Sequence, residues 1–287
     1  MIQKAPITAL ILAKNEERDI ARCVISLQWC DEIVVVDDGS TDATTAKAIE
    51  NGARVVNHRF ESFAKQRNWA LANADLRNEW ILHFDADEVS TPSFAENVTS
   101  AVNNTTEHQV AFAICRKTMF LERWMRYSDG FPVWIMRLTR KGAVEFEDKG
   151  HGEVAIPNHL GFIHRIHEPL IHYSFSKGIA NWIDRHNRYS TAEARLEFEQ
   201  HSDVSWKALV SRDCPQRRAA MRRLSRCMPC RALLRFLYQY FFKLGFLDGA
   251  PGFIYCRMLA TYESWIVLKR RELEVNRRLT SDGDTRR

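Results

Sequence analysis

The chain has 287 residues, of which 45% are hydrophobic and 27% charged, and its formal net charge is +5. This length is sufficient to bury a core in one large domain or two smaller ones, and the modest charge gives no strong reason to expect nucleic acid as a partner. Seven cysteines at irregular spacing fit a reducing compartment better than a disulfide framework. Cys227 and Cys230 resemble half of a zinc site, but no second pair follows.

No targeting or membrane-spanning segment is predicted. The first apolar run, Ile7–Ala13, has no basic region before it and no cleavage signature after it. No stretch of 18 apolar residues occurs elsewhere. We therefore expect a cytoplasmic protein.

Strands and helices alternate along the first ninety or so residues. Amphipathic segments, the clearest at Phe63–Ala74, separate apolar runs that predict strands at Ile7–Ala13, Glu32–Asp37, Arg54–Asn57 and Trp80–Phe84. Alternation at this pitch is typical of βαβ units. The sequence therefore predicts an α/β fold with a largely parallel, nucleotide-type sheet.

Acidic residues follow three of these strands. Glu16 and Glu17 come after the first, Asp37 and Asp38 end the second, and the sequence Asp85-Ala86-Asp87 ends the fourth. Open α/β sheets bind ligands at the carboxyl ends of their strands, and crowded carboxylates repel one another unless they bind cations or donors. Because Mg²⁺ commonly takes one or two carboxylates plus substrate phosphates, this pattern predicts a metal–phosphate site. An acidic turn after a strand is the alternative.

The helix before the fourth strand supplies complementary groups. Lys65, Arg67 and Asn68 carry cationic and amide donors that suit phosphate oxygens. A solvated helix face would account for Arg67 equally well. In combination with the acids, however, these donors indicate a site for a nucleoside diphosphate.

Four segments, ALILAKNEE, VVVDDGSTD, AKQRNWAL and HFDADE, occur in an order and at spacings that resemble the family 2 glycosyltransferases with a GT-A fold. The likeness covers about residues 6–95. The later segments RLTRKG, LIHYSFSKG and FFKLGFLDG resemble the lipopolysaccharide-core β-glucosyltransferase type. The resemblance implies a Rossmann-like sheet of the nucleotide-diphospho-sugar transferase type, mixed in strand direction, in residues 1–175.

The resemblance also implies roles for the acids after the first two strands. Asn15 and either Glu16 or Glu17 would line the nucleotide pocket, with the acid meeting the ribose hydroxyls. Asp37 and Asp38 match the segment that holds uracil and ribose in the family.

Further roles follow for the diphosphate side of the site. Arg67, with Asn68 beside it, matches the basic position that faces the sugar-nucleotide. Asp85 and Asp87 match the pair that binds Mg²⁺ or Mn²⁺, with Asp87 as the direct ligand. His172 would complete the metal or diphosphate site, and a hydrogen-bonded structural histidine is the alternative.

An inverting transferase also needs a general base within hydrogen-bond reach of the acceptor hydroxyl. Related envelope enzymes carry a His-Glu pair near the segment EFEDKGHGEV, whereas here Gly152 separates His151 from Glu153. We expect Glu153 to be the base, with Asp148 and Glu147 as competitors. An exposed acidic loop is the alternative.

Residues 176–275 are predicted to form a helical, arginine-rich extension, and residues 276–287 a disordered tail. Eight arginines and a single acid lie between Arg212 and Arg235. In the helix that follows, polar residues recur at every fourth position and predict a polar stripe, formed by Arg231, Arg235, Gln239 and Lys243.

Arginine-rich amphipathic helices with aromatic residues suit an anionic bilayer surface, so residues 212–268 predict contact with a membrane. A helical bundle packed on the catalytic domain is one alternative. Nucleic-acid binding is another, but no recognised binding module accompanies the charges.

Together these features predict an inverting, metal-dependent glycosyltransferase at the inner face of the cytoplasmic membrane. It would move a hexose, glucose from UDP-glucose, to a lipopolysaccharide-core or other lipid-linked saccharide. The alternatives are a nucleotidyltransferase on a similar sheet and a basic membrane-binding adaptor without enzymatic activity. The turn Lys14-Asn15-Glu16-Glu17 contains no glycine-rich phosphate loop, which disfavours the nucleotidyltransferase.

Overall fold

A computed structural model describes residues 4–150, 152–158, 161–199 and 230–284, and five further residues between 211 and 220. The chain forms two compact units, Met1–Ile179 and Ala180–Arg287. The sequence prediction divides the chain nearby, after residue 175.

The first half of the first unit contains the predicted alternation. Its helices are α1 (Ile20–Ser26), α2 (Thr44–Glu50) and α3 (Phe63–Asn73). Its strands are β1 (Ala5–Ala13), β2 (Cys30–Asp37), β3 (Arg54–Asn57) and β4 (Trp80–Asp85). These four strands are parallel, in the order β3-β2-β1-β4. Registers of Ala13 with Asp37 and Leu12 with Asp85 bring three acidic strand ends to one edge.

The second half adds strands of both directions. The elements are β5 (Glu88–Val89), α4 (Pro92–Asn103), β6 (Gln109–Phe120), β7 (Arg123–Trp124), β8 (Trp134–Arg140), β9 (Val144–Lys149), β10 (Gly152–Pro157) and β11 (Phe162–His172). The sheet continues from β4 in the order β8-β6-β11-β5. Strand β8 is antiparallel to both β4 and β6, β11 is parallel to β6, and β5 is antiparallel to β11.

This mixed sheet confirms the predicted α/β, GT-A class with a helical C-terminal extension. The segments on either side of the Ser128-Asp129-Gly130 turn do not pair with each other. Strand β7 pairs with β6 instead, and β8 inserts between β4 and β6.

Apolar side chains cover both faces of the parallel strands. On one face, residues such as Ile11, Val35 and Phe84 pack with Val24 of α1 and Phe94 of α4. On the other, Leu10, Val36 and Ile81 pack with Ala70 of α3. Burial on both faces explains why these strands are continuous apolar runs rather than alternating ones.

The hairpin of β9 and β10 forms a separate two-stranded sheet in which Glu153 pairs with Asp148. Its apolar residues Val144, Phe146 and Ala155 pack with Ala64 of α3. The segment is therefore a hairpin rather than the loop of the alternative prediction, although Glu147 and Asp148 are exposed. His151 lies outside the described residues.

The second unit contains α5 (Gly178–Glu199), α6 (Arg231–Leu237), a π-helical turn (Tyr238–Phe242), a 3₁₀ turn (Gly245–Asp248) and α7 (Gly249–Asp284). Arg231 is buried and donates to Glu197 of α5 at 2.8 Å and to Glu263 of α7 at 2.6 Å. Lys269 of α7 donates to the Asn187 carbonyl of α5 at 2.6 Å. Ion pairs and hydrogen bonds therefore join these helices.

Two expectations for this unit differ from the structure. The predicted disordered tail from residue 276 is helical as far as Asp284, and Arg277 lies over the ring of Phe198 of α5, 5.7 Å from its centre, which holds the start of this stretch against the other helix. The predicted polar stripe is also divided, since Arg231 and Gln239 are buried while Arg235 and Lys243 are exposed. Most of the arginine-rich segment 212–230 lies outside the described residues.

Candidate active site

The turn after β1 is tied to the turn after β2 by hydrogen bonds. The Asn15 side chain accepts from the Thr41 amide at 2.8 Å, and the Asn15 amide donates to Ser40 Oγ at 2.9 Å. The Glu17 amide donates to Asp42 Oδ2 at 3.2 Å. Asn15 and Glu17 thus fix the shape of this end of the cleft.

Asp37 and Asp38 already have partners within the chain. Buried Asp37 accepts from the Ser40 amide at 2.8 Å and from the Ser40 hydroxyl, which stabilises the turn after β2. Asp38 accepts from Lys14 Nζ at 2.7 Å and from the Phe60 amide at 2.8 Å. Burial by itself would raise the pKa of Asp38, but these donors outweigh it and hold the pKa below its usual value.

A chain of ion pairs runs past the carboxyl end of β4; both of its arginines and Glu88 are buried, whereas Asp85 is about a third exposed. Arg67 on α3 donates to Asp85 Oδ1 at 2.9 Å and, from Nε, to Glu153 Oε1. Arg137 on β8 donates to Asp85 Oδ2 at 2.7 Å and to Glu88 Oε1 at 2.9 Å. The Glu88 carboxylate also accepts from the Asp85 amide at 2.9 Å. Both oxygens of Asp85 are therefore occupied by guanidinium groups.

The charge states of this chain follow from its burial. Burial opposes the ionised form of Asp85, but Arg137 and Arg67 more than compensate and hold its pKa well below the usual range. Burial raises the pKa of Glu88 to about 6, with Arg137 opposing the shift and Asp85 adding to it. Burial would lower the pKa of Arg137, but the two acids raise it above its usual value. Arg67 and Arg137 lie between three acids, and their positive charges explain why these carboxylates can stand so close together.

Asp87 and His172 form a second pair of side chains in the site. Asp87 Oδ2 lies 3.5 Å from His172 Nε2, and both side chains are mostly buried, at 14% and 13% exposed. The Asp87 carbonyl accepts from the Tyr173 amide at 2.9 Å, which links this turn to the end of β11. Glu16 lies nearby, paired with Lys177 at 2.6 Å. Burial raises the pKa of Glu16 to about 7, against the opposing effect of Lys177 and with a contribution from Asp87.

Several buried polar atoms around the cleft have no hydrogen-bond partner among the described residues. These atoms are Glu16 Oε2, Arg67 Nη1, Glu153 Oε2 and His172 Nδ1. A buried polar group without a partner is costly, so a cluster of them points to groups supplied by a ligand. Both ends of the Arg67–Glu153 pair contribute to this cluster.

Asn68 and Asp148 were expected in the site, but Asn68 bonds to the backbone of β9 and Asp148 is exposed. The Asn68 side chain donates to the Phe146 carbonyl at 2.8 Å and accepts from the Phe146 amide at 2.9 Å, so it holds the β9–β10 hairpin against α3. Asp148 lies opposite Glu153 in the hairpin but is exposed.

Arg137 and Glu88 were not identified from the sequence. Both lie inside segments that carry the resemblance, RLTRKG and HFDADE, but each reads as an ordinary charged residue next to an apolar strand. A charged residue at an otherwise buried strand position was the available signal.

The family is shown by comparison with known proteins. The model of glycosyl transferase family 2 matches residues 8–160, more than half of the chain, and the chain belongs to this family of glycosyltransferases. Among its relatives is the lipopolysaccharide core biosynthesis glycosyltransferase LpsC of Rhizobium meliloti, 28% identical over 206 residues that cover 69% of this chain and 74% of LpsC. An uncharacterized glycosyltransferase of Rickettsia typhi is 26% identical over 95% of this chain and 89% of its own length.

Among solved structures, glucosyl-3-phosphoglycerate synthase from Mycobacterium tuberculosis, in complex with Mn²⁺, UDP-glucose and phosphoglyceric acid, is 24% identical with a TM-score of 0.34. The match covers 39% of this chain and 44% of that chain. A likeness of this extent carries no argument about ligands.

Two negative findings apply to the described part of the chain. None of its helices is sufficiently long and apolar to span a membrane. In the same residues, no group of three or more histidine, cysteine or acidic side chains is arranged to hold a metal ion.

Replacing Arg137 with methionine should destabilise the protein by about 3–5 kcal/mol, because buried Glu88 would lose its cationic partner. The free energy of unfolding in urea measures this loss. Arg140→Met is the matched control, since Arg140 lies on the same strand and its partner Glu79, 3.4 Å away, is 63% exposed. We expect a loss of about 1 kcal/mol there. Equal losses in the two variants would contradict a structural role for the Arg137 pair.

Glu16 should make stability depend on pH. Its folded-state pKa of about 7 lies above the ordinary 4.5, so its contribution to stability is present below about pH 4.5 and is lost as the pH rises through 7. Glu16→Gln should remove a decline on the order of 2 kcal/mol between these limits. Urea unfolding with a chelator present, at several pH values, measures the difference, and exposed Glu17→Gln is the control. Parallel pH profiles for wild type and Glu16→Gln would refute this assignment.

Proposed function

We propose that this chain is an inverting hexosyltransferase that moves glucose from UDP-glucose to a lipopolysaccharide-core or other lipid-linked saccharide. The family membership and the name of LpsC support the reaction class and the acceptor class. The observation that carries the proposal is a cluster of buried atoms beside the acidic strand ends, on Glu16, Arg67, Glu153 and His172, that have no hydrogen-bond partner in the part of the chain that the structure describes.

The donor would lie along the carboxyl ends of β1, β2 and β4. Asn15, Glu16 and Glu17 would line the nucleotide pocket, with the second oxygen of Glu16 accepting from a ribose hydroxyl. Asp38 is the acid nearer solvent and would face the uracil, whereas buried Asp37 would act by holding the turn. The unpartnered Nη1 of Arg67 would donate to a donor oxygen on the diphosphate or the sugar.

The pair of Asp87 and His172 fits a divalent cation that is held jointly with the substrate. Asp87 and His172 would be its protein ligands, and phosphate oxygens and water would complete the set, as is usual for Mg²⁺. Manganese also accepts carboxylate and imidazole ligands. Asp85, which we expected to share this role, has both oxygens on arginines and does not fit it. When bound, Mg²⁺ or Mn²⁺ would neutralise charge on the departing diphosphate.

Glu153 is the residue that we assign as general base. Its Oε1 is fixed by Arg67, and its buried Oε2 has no partner among the described residues, so that oxygen is oriented and able to accept a proton. Asp148 and Glu147 are exposed and remain the competitors.

The reaction follows from these positions. The acceptor hydroxyl gives its proton to Glu153 Oε2 while its oxygen bonds to the anomeric carbon, on the face opposite the diphosphate. The bond between that carbon and the diphosphate oxygen breaks, and UDP leaves with the electron pair. One displacement inverts the configuration. The product is UDP rather than pyrophosphate, which separates this reaction from the nucleotidyltransferase alternative.

The place of action is part of the proposal. A lipid-linked acceptor requires the enzyme to work at a bilayer surface, and we propose the inner face of the cytoplasmic membrane. Residues 1–175 would carry the catalysis and the helical extension the membrane contact. A non-enzymatic adaptor would retain membrane binding without turning over a nucleotide-sugar.

Glu153→Gln should lower the rate of glucosyl transfer about 10²–10⁴-fold while UDP-glucose still binds, because the amide cannot take the proton. Transfer to a core-saccharide acceptor and calorimetric binding of UDP-glucose measure the two properties separately. Asp148→Asn, across the same hairpin, is the matched control and should retain most activity. A large loss in Asp148→Asn with normal turnover in Glu153→Gln would assign the base to Asp148 instead.

Asp87→Asn should raise the Mn²⁺ or Mg²⁺ concentration needed for half-maximal UDP binding about 10–100-fold, because it weakens a charged ligand. Calorimetric titration of UDP at several metal concentrations measures this change. In contrast, Asp85→Asn should lower stability more than it changes the metal requirement. Metal-dependent UDP binding that is unchanged in Asp87→Asn would exclude Asp87 as a ligand.

A further inference from the structure

The segment that runs from within α6, through the two short turns, to the first residues of α7 exposes an uncommon amount of apolar surface. Eleven large apolar residues between Leu233 and Ile254 are each more than a third exposed, from 37% at Leu237 to 80% at Phe242. We call residues 233–254 the apolar turn. Large exposed apolar patches are rare on soluble chains and mark sites of interaction.

The backbone holds these side chains outward. Leu244 and Gly249 have positive φ angles of 62° and 71°, which end the helical turns on either side and prevent one continuous helix. The buried positions of the turn are polar or small, as at Gln239 and Asp248, which are 7% and 3% exposed. Polar groups inside and phenylalanines outside reverse the usual pattern of a water-soluble helix pair.

The charge around the apolar turn has one sign. Arg235, Lys243 and Arg257 are exposed, and Asp248, the one acid between residues 231 and 262, is buried. A shallow groove of about 410 Å³ opens beside Arg257 and is lined by Leu233, Phe236 and Phe253. Among residues 231–262, all of which the structure describes, the surface therefore combines apolar side chains with cations and offers no exposed carboxylate.

The combination of apolar side chains and cations indicates which kind of partner could cover the apolar turn. A second copy of the chain would bring the same cations together without an acid to pair with them. A bilayer surface of anionic lipids instead offers an apolar interior for the phenylalanines and phosphates for Arg235, Lys243 and Arg257. Aromatic side chains are also favoured at this interface.

We propose that the apolar turn enters the interface of an anionic bilayer, with Phe241, Phe242 and Phe246 among the acyl chains and the three cations on lipid phosphates. This inference rests on the membrane contact in the proposed function and narrows it from residues 212–268 to a defined turn. It does not depend on which sugar is transferred.

Flotation of the full-length protein with phosphatidylcholine vesicles, with and without phosphatidylglycerol, tests the inference. Phe242→Glu should weaken binding to the anionic vesicles about tenfold or more, because it places a charge at the point of entry. Leu279→Glu is the matched control, since Leu279 is 67% exposed on the same helix bundle and the charge change is identical. It should bind like wild type. Phe242 is too exposed for its replacement to affect folding.

A triple variant, Arg235→Gln with Lys243→Gln and Arg257→Gln, should lose the preference for anionic over neutral vesicles. Equal binding of wild type, Phe242→Glu and Leu279→Glu would overturn the inference. So would sedimentation showing a dimer that dissociates in Phe242→Glu, without vesicle binding. Hydrolysis of UDP-glucose in detergent-free solution should be the same in all these variants, so a failure of the membrane inference and a failure of the proposed function are distinguishable.

Discussion

The site depends on the placement of Asp85 between two buried arginines. Three strand ends bring carboxylates to one edge of the sheet, and such a concentration of negative charge would oppose folding if it stood alone. Arg67 comes from the helix before β4 and Arg137 from the strand beside it, so the neutralising charge arrives from both sides. The pairs also extend outward, through Arg67 to Glu153 and through Arg137 to Glu88. The Asp85 carboxylate thereby aligns α3, the β9–β10 hairpin and the large sheet with one another.

This arrangement divides the acids of the cleft into two groups. Asp37, Asp38 and Asp85 have donors within the chain at both oxygens, and these bonds fix the turn after β2 and the end of β4. Glu16 and Glu153 each have one oxygen on a cation and one buried oxygen without a partner among the described residues. Acids of the second group are oriented but incompletely satisfied, which is the condition for contact with a substrate.

Local pattern was sufficient to predict the strands, the acidic edge and the α/β class, because strand period and buried runs are properties of a few consecutive residues. The partners within the site were not predictable in this way. Arg137 lies 52 positions after Asp85 in the chain and reaches it only because β8 inserts antiparallel beside β4. The sequence does not specify that register. Asn68 was expected to meet phosphate but meets the Phe146 backbone, 78 positions away. In the C-terminal unit, Arg231 was expected on a solvent stripe and is buried by acids from two other helices.

The order of strands has a geometric consequence at the acidic edge. Four pairing steps separate β4 from β5 in the sheet, which in a flat sheet would place them about 19 Å apart. Only Ala86 and Asp87 connect them, and a connection of that length spans about 11 Å at most. The sheet must therefore curl at this edge until the ends of β4 and β11 face each other. Curvature of the sheet, rather than a mobile loop, forms the concave wall in which Asp87 and His172 meet.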